Sequence, residues 1–196
     1  MTGGAGPGRA AVLRALAAFV LALAFWFGFR APYERLLAPA TEAVLRATER
    51  PAVTRLSAEG GEILVERSDF PAGSPRPGLP AADLHFNFVL LAALFALDPR
   101  PLEGSRVAAL LLASLVLFGV HVAALAFQVR SVYATALGPW SAAHYGAASR
   151  NFWSGGFHFY EVAGRFAAPF AIWWALRRGE EDRVGDDRKR KRKRES

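Results

Sequence analysis

Four apolar runs, residues 10–29, 83–97, 107–127 and 157–176, alternate with stretches that carry most of the charge. At ~1.5 Å per residue, twenty helical residues span the ~30 Å hydrocarbon core of a bilayer. The run 10–29 is broken only by Arg14, near enough to its start to snorkel to an interface. It ends in Phe25, Trp26, Phe27 and Phe29 and exceeds the ~7 to 15 apolar residues of a signal peptide, so it reads as an uncleaved anchor. The run 107–127 is the clearest, interrupted only by Ser114, Gly119 and His121. The run 83–97 is short, and a re-entrant segment competes with a span there. Residues 157–176 end in Trp173 and Trp174, suited to an interfacial belt.

Between the first two runs, residues 30–82 change character. Tyr33 to Thr48 set Leu36, Leu37, Ala40, Ala43, Val44 and Ala47 at helical spacing, which predicts a short amphipathic helix kinked at Pro39. Val53 to Ser57 and Glu62 to Ser68 alternate around Gly60-Gly61, the dipeptide of a tight hairpin turn. Pro71 to Pro80, with four prolines and two glycines, reads as a linker. Residues 128–156 read as a mixed loop with Tyr133, Trp140, Tyr145 and Trp153 at headgroup level, closed by Gly155-Gly156 as a cap before the last helix.

Charge sets the orientation. The chain is 53% hydrophobic with a net charge of +7, and Arg188 to Arg194 is an unbroken basic run in the tail 177–196. Beside a membrane such a run is drawn to anionic lipid and to the cytoplasmic side. Four spans place the Gly-rich N-terminus 1–9, the turn with Arg100 and Arg106, and the tail on that side together. Loss of the crossing at 83–97 would put one basic end outside. Segment 30–82, with seven arginines and seven acidic residues, is neutral and is the natural translocated part. The expectation is an all-α polytopic membrane protein: four transmembrane helices with a small extracytoplasmic α+β insertion between the first and second. The four apolar runs argue against nucleic acid as the partner of the basic tail. The chain has no cysteine, which excludes disulfides, thiolate metal sites and cysteine nucleophiles. No phosphate loop, paired metal-ligand spacing or nucleophile elbow appears, so no cofactor is implied.

Ionisable groups inside apolar runs are costly unless they pair or face a wet interior. His158, Glu161 and Arg165 follow one another at spacings of three and four, which puts them on one helix face with Glu161 placed to pair with Arg165. By position, His121 lies ~9 Å inside the outer end of its run, and Glu161 and Arg165 ~6 and ~12 Å inside theirs. His85 and Asn87 start the second run at the same level. Together they outline a pocket opening toward the insertion. Three readings follow: mutual satisfaction that fixes helix packing, a binding pocket, or a catalytic site. The last would use Glu161 with His158 or His121 as acid and base, or gather His85, His121 and His158 around a metal.

The stretch SRNFWSGGFHFYEVAGRFAAPFAIWW at 149–174, with the order of anchor, insertion and further spans, resembles the small bacterial inner-membrane proteins that accompany exosortases, specifically the exosortase H-associated type. That resemblance implies an accessory or scaffold role beside a larger membrane transpeptidase in envelope protein sorting. The ending is also similar to exosortases themselves, which use a Cys, an Arg and a His. Arg150 and His158 match the latter two, and Arg150 joins the candidate pocket on that ground. The missing cysteine removes the chemistry, so the resemblance favours the accessory protein over the enzyme.

Overall fold

The computed structural model describes residues 7–98 and 100–178. Its elements are α1 (Pro7–Thr48), β1 (Thr54–Glu59), β2 (Glu62–Arg67), β3 (Gly78–Pro80), α2 (Ala82–His85), α3 (Asn87–Phe95), α4 (Gly104–Thr135), α5 (Pro139–His144) and α6 (Ala147–Phe159). A π turn at Tyr160–Gly164 continues α6 into α7 (165–178). The molecule is mostly helical, with one small antiparallel sheet in the order β1-β2-β3.

Two helices, Ala11–Thr48 and Gly104–Thr135, are long and apolar enough to cross a membrane. At ~1.5 Å per residue, α1 and α4 reach ~63 and ~48 Å, well beyond a hydrocarbon core. Their ends therefore form the scaffold on which the sheet is built. The segment Ala82–Phe95, broken at Phe86, reaches only ~21 Å. The last helical stretch is interrupted by Glu161, Arg165 and the π turn. On length and composition, two of the four expected spans stand.

Several expected boundaries shift. The short kinked helix at Tyr33 to Thr48 is the end of the 42-residue α1, which runs through Pro32 and Pro39. Both prolines are exposed, so the carbonyls that lose an N–H partner lie away from the core. The buried face is also turned from the expected one. Glu34, Leu37, Ala38, Thr41 and Leu45 are buried, whereas Leu36 and Val44 are exposed, because the sheet and α4 pack on the former stripe. The proline-rich stretch expected as a linker contributes β3, whose Leu79 pairs with Ile63. Residues 128–156 are the end of α4, α5 and most of α6 rather than a loop. Gly155 and Gly156 lie inside α6 instead of capping a loop. A Cβ on Gly156 would meet Phe127 Cε1 at 2.5 Å, so glycine is what lets α6 lie close against α4. The basic run 188–194 and the start of the N-terminal segment 1–9 lie outside the described residues.

The hairpin turn uses Gly60 and Gly61 at φ +61° and +87°, positions that L side chains rarely adopt, with Glu59 opposite Glu62. The two sheet edges are guarded differently. Along β1, α1 and the residue that follows it supply the acceptors: the Leu56 N–H donates to Glu42 Oε2 at 2.9 Å and the Thr54 N–H to Glu49 Oε2 at 3.0 Å. The far edge is β3, a strand of only three residues that ends at Pro80, which has no N–H to offer. One core joins Leu37 and Leu45 of α1, Leu56, Ile63 and Val65 of the sheet, and Leu125, Val129 and Tyr133 of α4. A second, between helices, joins Leu91 and Phe95 of α3 to Ala113 and Leu117 of α4, with Ile172 and Trp173 of α7 against it.

Candidate functional site

Where the two cores meet, a chain of side-chain hydrogen bonds crosses the bundle. His121 of α4 is fully buried and bonds on both ring nitrogens. Its Nε2 lies 2.7 Å from Asn87 Oδ1, a carbonyl oxygen that can only accept, so the proton sits on Nε2. Its Nδ1 then accepts from the Tyr33 hydroxyl of α1 at 2.5 Å. Asn87 Nδ2 donates to the Arg165 carbonyl at 3.0 Å and to the Tyr160 hydroxyl at 3.3 Å. Tyr160 in turn donates to the Leu84 carbonyl at 2.8 Å. Every member is neutral, and every proton has one consistent direction from Tyr33 to Leu84. The chain ties α1, α2, α3, α4 and the π turn at one level.

A second contact set lies beside it. Trp26 Nε1 of α1 donates to His85 Nδ1 at 2.9 Å, which leaves the ring proton on Nε2, 3.4 Å from Glu34 Oε1. Glu34 and His85 are both buried. The Tyr33 ring lies between the two histidines, with centroids 5.0 Å from His85 and 5.8 Å from His121.

Of the residues singled out from sequence, the structure brings His85, Asn87 and His121 together and admits Arg165 only through its carbonyl. His158 and Glu161 pair with each other at 3.3 Å on an exposed face, their side chains 68% and 46% accessible. Arg150 is also exposed. The Glu161–Arg165 pair expected from spacing is replaced: Glu161 bonds backward to His158, and Arg165 lays its guanidinium over Phe166 at 4.9 Å. The π turn between them changes the helical register on which that expectation rested. The three-histidine metal site is excluded on geometry, because His158 faces away. Among the described residues no three His, Cys, Asp or Glu side chains gather as ligands. The pairing of Glu161 with His121 is likewise absent, since His121 spends both nitrogens on Asn87 and Tyr33.

Trp26, Tyr33, Glu34 and Tyr160 were not in the expected set. Trp26, Tyr33 and Glu34 recur at seven and eight residues, one face of a single helix. That signal is readable only if α1 is taken as continuous through Pro32.

On the sheet side, a cavity of about 540 Å³ is lined by Arg55, Glu66, Arg67, Phe70 and Tyr133 among others. Arg67 is held there by Asp69, with 2.7 Å between Nη2 and Oδ2, and by the rings of Phe70, Tyr133 and Trp140 at 5.3, 4.9 and 4.5 Å. The two N–H bonds from Arg67 hold the Asp69 carboxyl below the ordinary aspartate range.

The fold and the buried network define a helical protein with two membrane-length apolar helices, interlocked by neutral hydrogen bonds and carrying a small sheet. Comparison of the chain with protein-family models, with curated proteins and with solved structures found no match.

Proposed function

We propose that the chain is a multi-pass protein of the bacterial inner membrane that serves as an accessory or scaffold to a larger membrane protein in envelope protein sorting or export, such as an exosortase-like transpeptidase. In this reading four helical segments lie in the bilayer, both termini are cytoplasmic, and the sheet is extracytoplasmic. The observation that carries the scaffold role is the hydrogen-bond chain from Tyr33 to Leu84. It occupies both nitrogens of His121 and the whole amide of Asn87 in holding helices together, which leaves neither for a substrate. The surface supports a partner: none of the residues in the most apolar stretch of α1 is buried, so that helix is free for lipid and a neighbouring span. The cavity beside Arg67 offers a second contact surface.

Affinity purification of the full chain from native membranes in mild detergent, with mass spectrometry of what accompanies it, tests the role. A stoichiometric larger membrane protein is the expected result; recovery of the chain alone refutes it. The enzyme reading keeps one observation, the His158–Glu161 contact at 3.3 Å. It requires that Glu161→Gln abolish a function while leaving folding intact.

A further inference from the structure

Between α1, α3 and α7 lies a groove of about 490 Å³. Phe19, Phe86, Leu90 and Phe166 give it apolar walls, and Asp83 and Arg165 bring opposite charges to it. Among the described residues neither Asp83 nor Arg165 has an ion-pair partner, and Arg165 Nε is buried with no hydrogen-bond acceptor. Phe19 precedes Trp26 by two helical turns and Leu90 follows His85 by more than one. The apolar walls therefore extend from the level of the charges away from the sheet, while Asp83 follows β3 almost directly.

Within a bilayer, apolar walls give no preference for an occupant, because lipid tails are as apolar as the groove. The two charges decide what binds. A guanidinium matches a phosphate in planar, charge-assisted geometry, and a carboxylate matches an ammonium. A purely anionic lipid would satisfy Arg165 and be repelled by Asp83. We propose that the groove holds one zwitterionic aminophospholipid from the leaflet nearest the sheet. Its phosphate lies on Arg165, its ammonium on Asp83, and one acyl chain runs along Phe19, Phe86, Leu90 and Phe166. This rests on the membrane reading above and names a ligand for it.

The test uses the full chain expressed in bacterial membranes containing phosphatidylethanolamine and phosphatidylglycerol. It is purified in mild detergent and examined by native mass spectrometry with analysis of the released lipid. One phosphatidylethanolamine per chain is expected on the unaltered protein. Asp83→Asn, a change at an exposed position, should lower the ethanolamine-to-glycerol lipid ratio about tenfold while bound lipid persists, since a charged hydrogen bond is worth about that factor. Arg165→Gln should lower total bound lipid by about the same factor. Leu90→Trp fills the groove without touching either charge and should displace the lipid as well, so the outcome does not hang on Arg165→Gln folding. Absence of retained lipid on the unaltered chain, or an unchanged lipid ratio in Asp83→Asn, overturns the proposal. Alkaline carbonate extraction separates the two readings. A chain stripped from membranes fails the membrane reading, whereas one that stays embedded without bound lipid fails this inference alone.

Discussion

The buried residues do their work in pairs, so their removal should show coupling rather than simple sums. Tyr33→Phe leaves His121 Nδ1 buried without a donor, and His121→Phe strands both Tyr33 and Asn87. Each should cost about 1–3 kcal/mol of unfolding free energy in micelles, the desolvation penalty of an orphaned buried polar group. The double variant should cost less than the sum by about 0.5–3 kcal/mol, measured by denaturant titration of all four proteins. Strict additivity would show that Tyr33 and His121 do not form the bond. Asp69 gives a pH test at the same scale. Its carboxyl is held low by Arg67 in the folded state, so its stabilising contribution is complete above the ordinary aspartate range and is lost as pH falls through the lower, folded value. Asp69→Asn should therefore flatten the acid limb of the thermal-stability profile below about pH 4 and leave the neutral region's slope unchanged. Sequence position places His85, Asn87 and His121 at one depth, because depth follows from counting residues along a helix. It does not show which way His158 and Glu161 face, since facing depends on the π turn.

Among elements, the α4–α6 contact turns on one glycine of an adjacent pair. Gly155 has open space at its Cβ position, while Gly156 would drive a methyl group into Phe127, whose ring already packs at a tilt against Phe152 and Trp153 at 5.8 and 5.2 Å. Gly155→Ala should stabilise by up to about 1 kcal/mol through helix propensity alone. Gly156→Ala gains the same propensity but adds overpacking, and should fall below Gly155→Ala by about 1–3 kcal/mol in the same thermal or denaturant assay. Equal effects would mean that α6 does not approach α4 at Gly156. The sheet has a comparable dependence on the residue that follows α1. The Glu49 carboxylate accepts from the Val53 and Thr54 N–H groups and the Thr54 hydroxyl, and Arg130 approaches it at 3.8 Å. Glu49→Ala should lose hydrogen-exchange protection across β1 first and lower stability by about 1.5–3 kcal/mol. The hairpin is legible in sequence because Gly-Gly between alternating runs has one economical structure. The third strand and the long α1 are not. Local rules read a short helix kinked at Pro39 and the segment from Pro71 as linker, whereas tertiary packing against α4 and β2 overrides both.

At the scale of the whole molecule, the apolar and polar ends separate cleanly enough to make orientation measurable. Leu102, between α3 and α4, is 89% exposed at the end of the bundle opposite the sheet, and Ala72 is exposed in the loop that leads to β3. Four spans with cytoplasmic termini put these two positions on opposite sides of the membrane. If Ala82–Phe95 did not cross, residues 49–103 would lie on one side with both positions there, against a fold in which the C-terminal ends of α1 and α4 both pack on the sheet. The chain contains no cysteine, so Ala72→Cys and Leu102→Cys each introduce a unique thiol without any background to remove. With a membrane-impermeant maleimide, Ala72→Cys should label in intact spheroplasts, and Leu102→Cys only after lysis. Labelling of both before lysis would mean that Ala82–Phe95 enters and returns, consistent with its ~21 Å length, and the four-span arrangement would fall. Labelling of Leu102→Cys alone would invert the protein and place the sheet in the cytoplasm. Membrane thickness and helix length decide between these outcomes only if neighbours let a short segment span. The second core supplies that: Leu91 and Phe95 are buried against α4, so α3 is shielded from lipid on that face and can sit in a locally thinned bilayer at a modest cost per ångström.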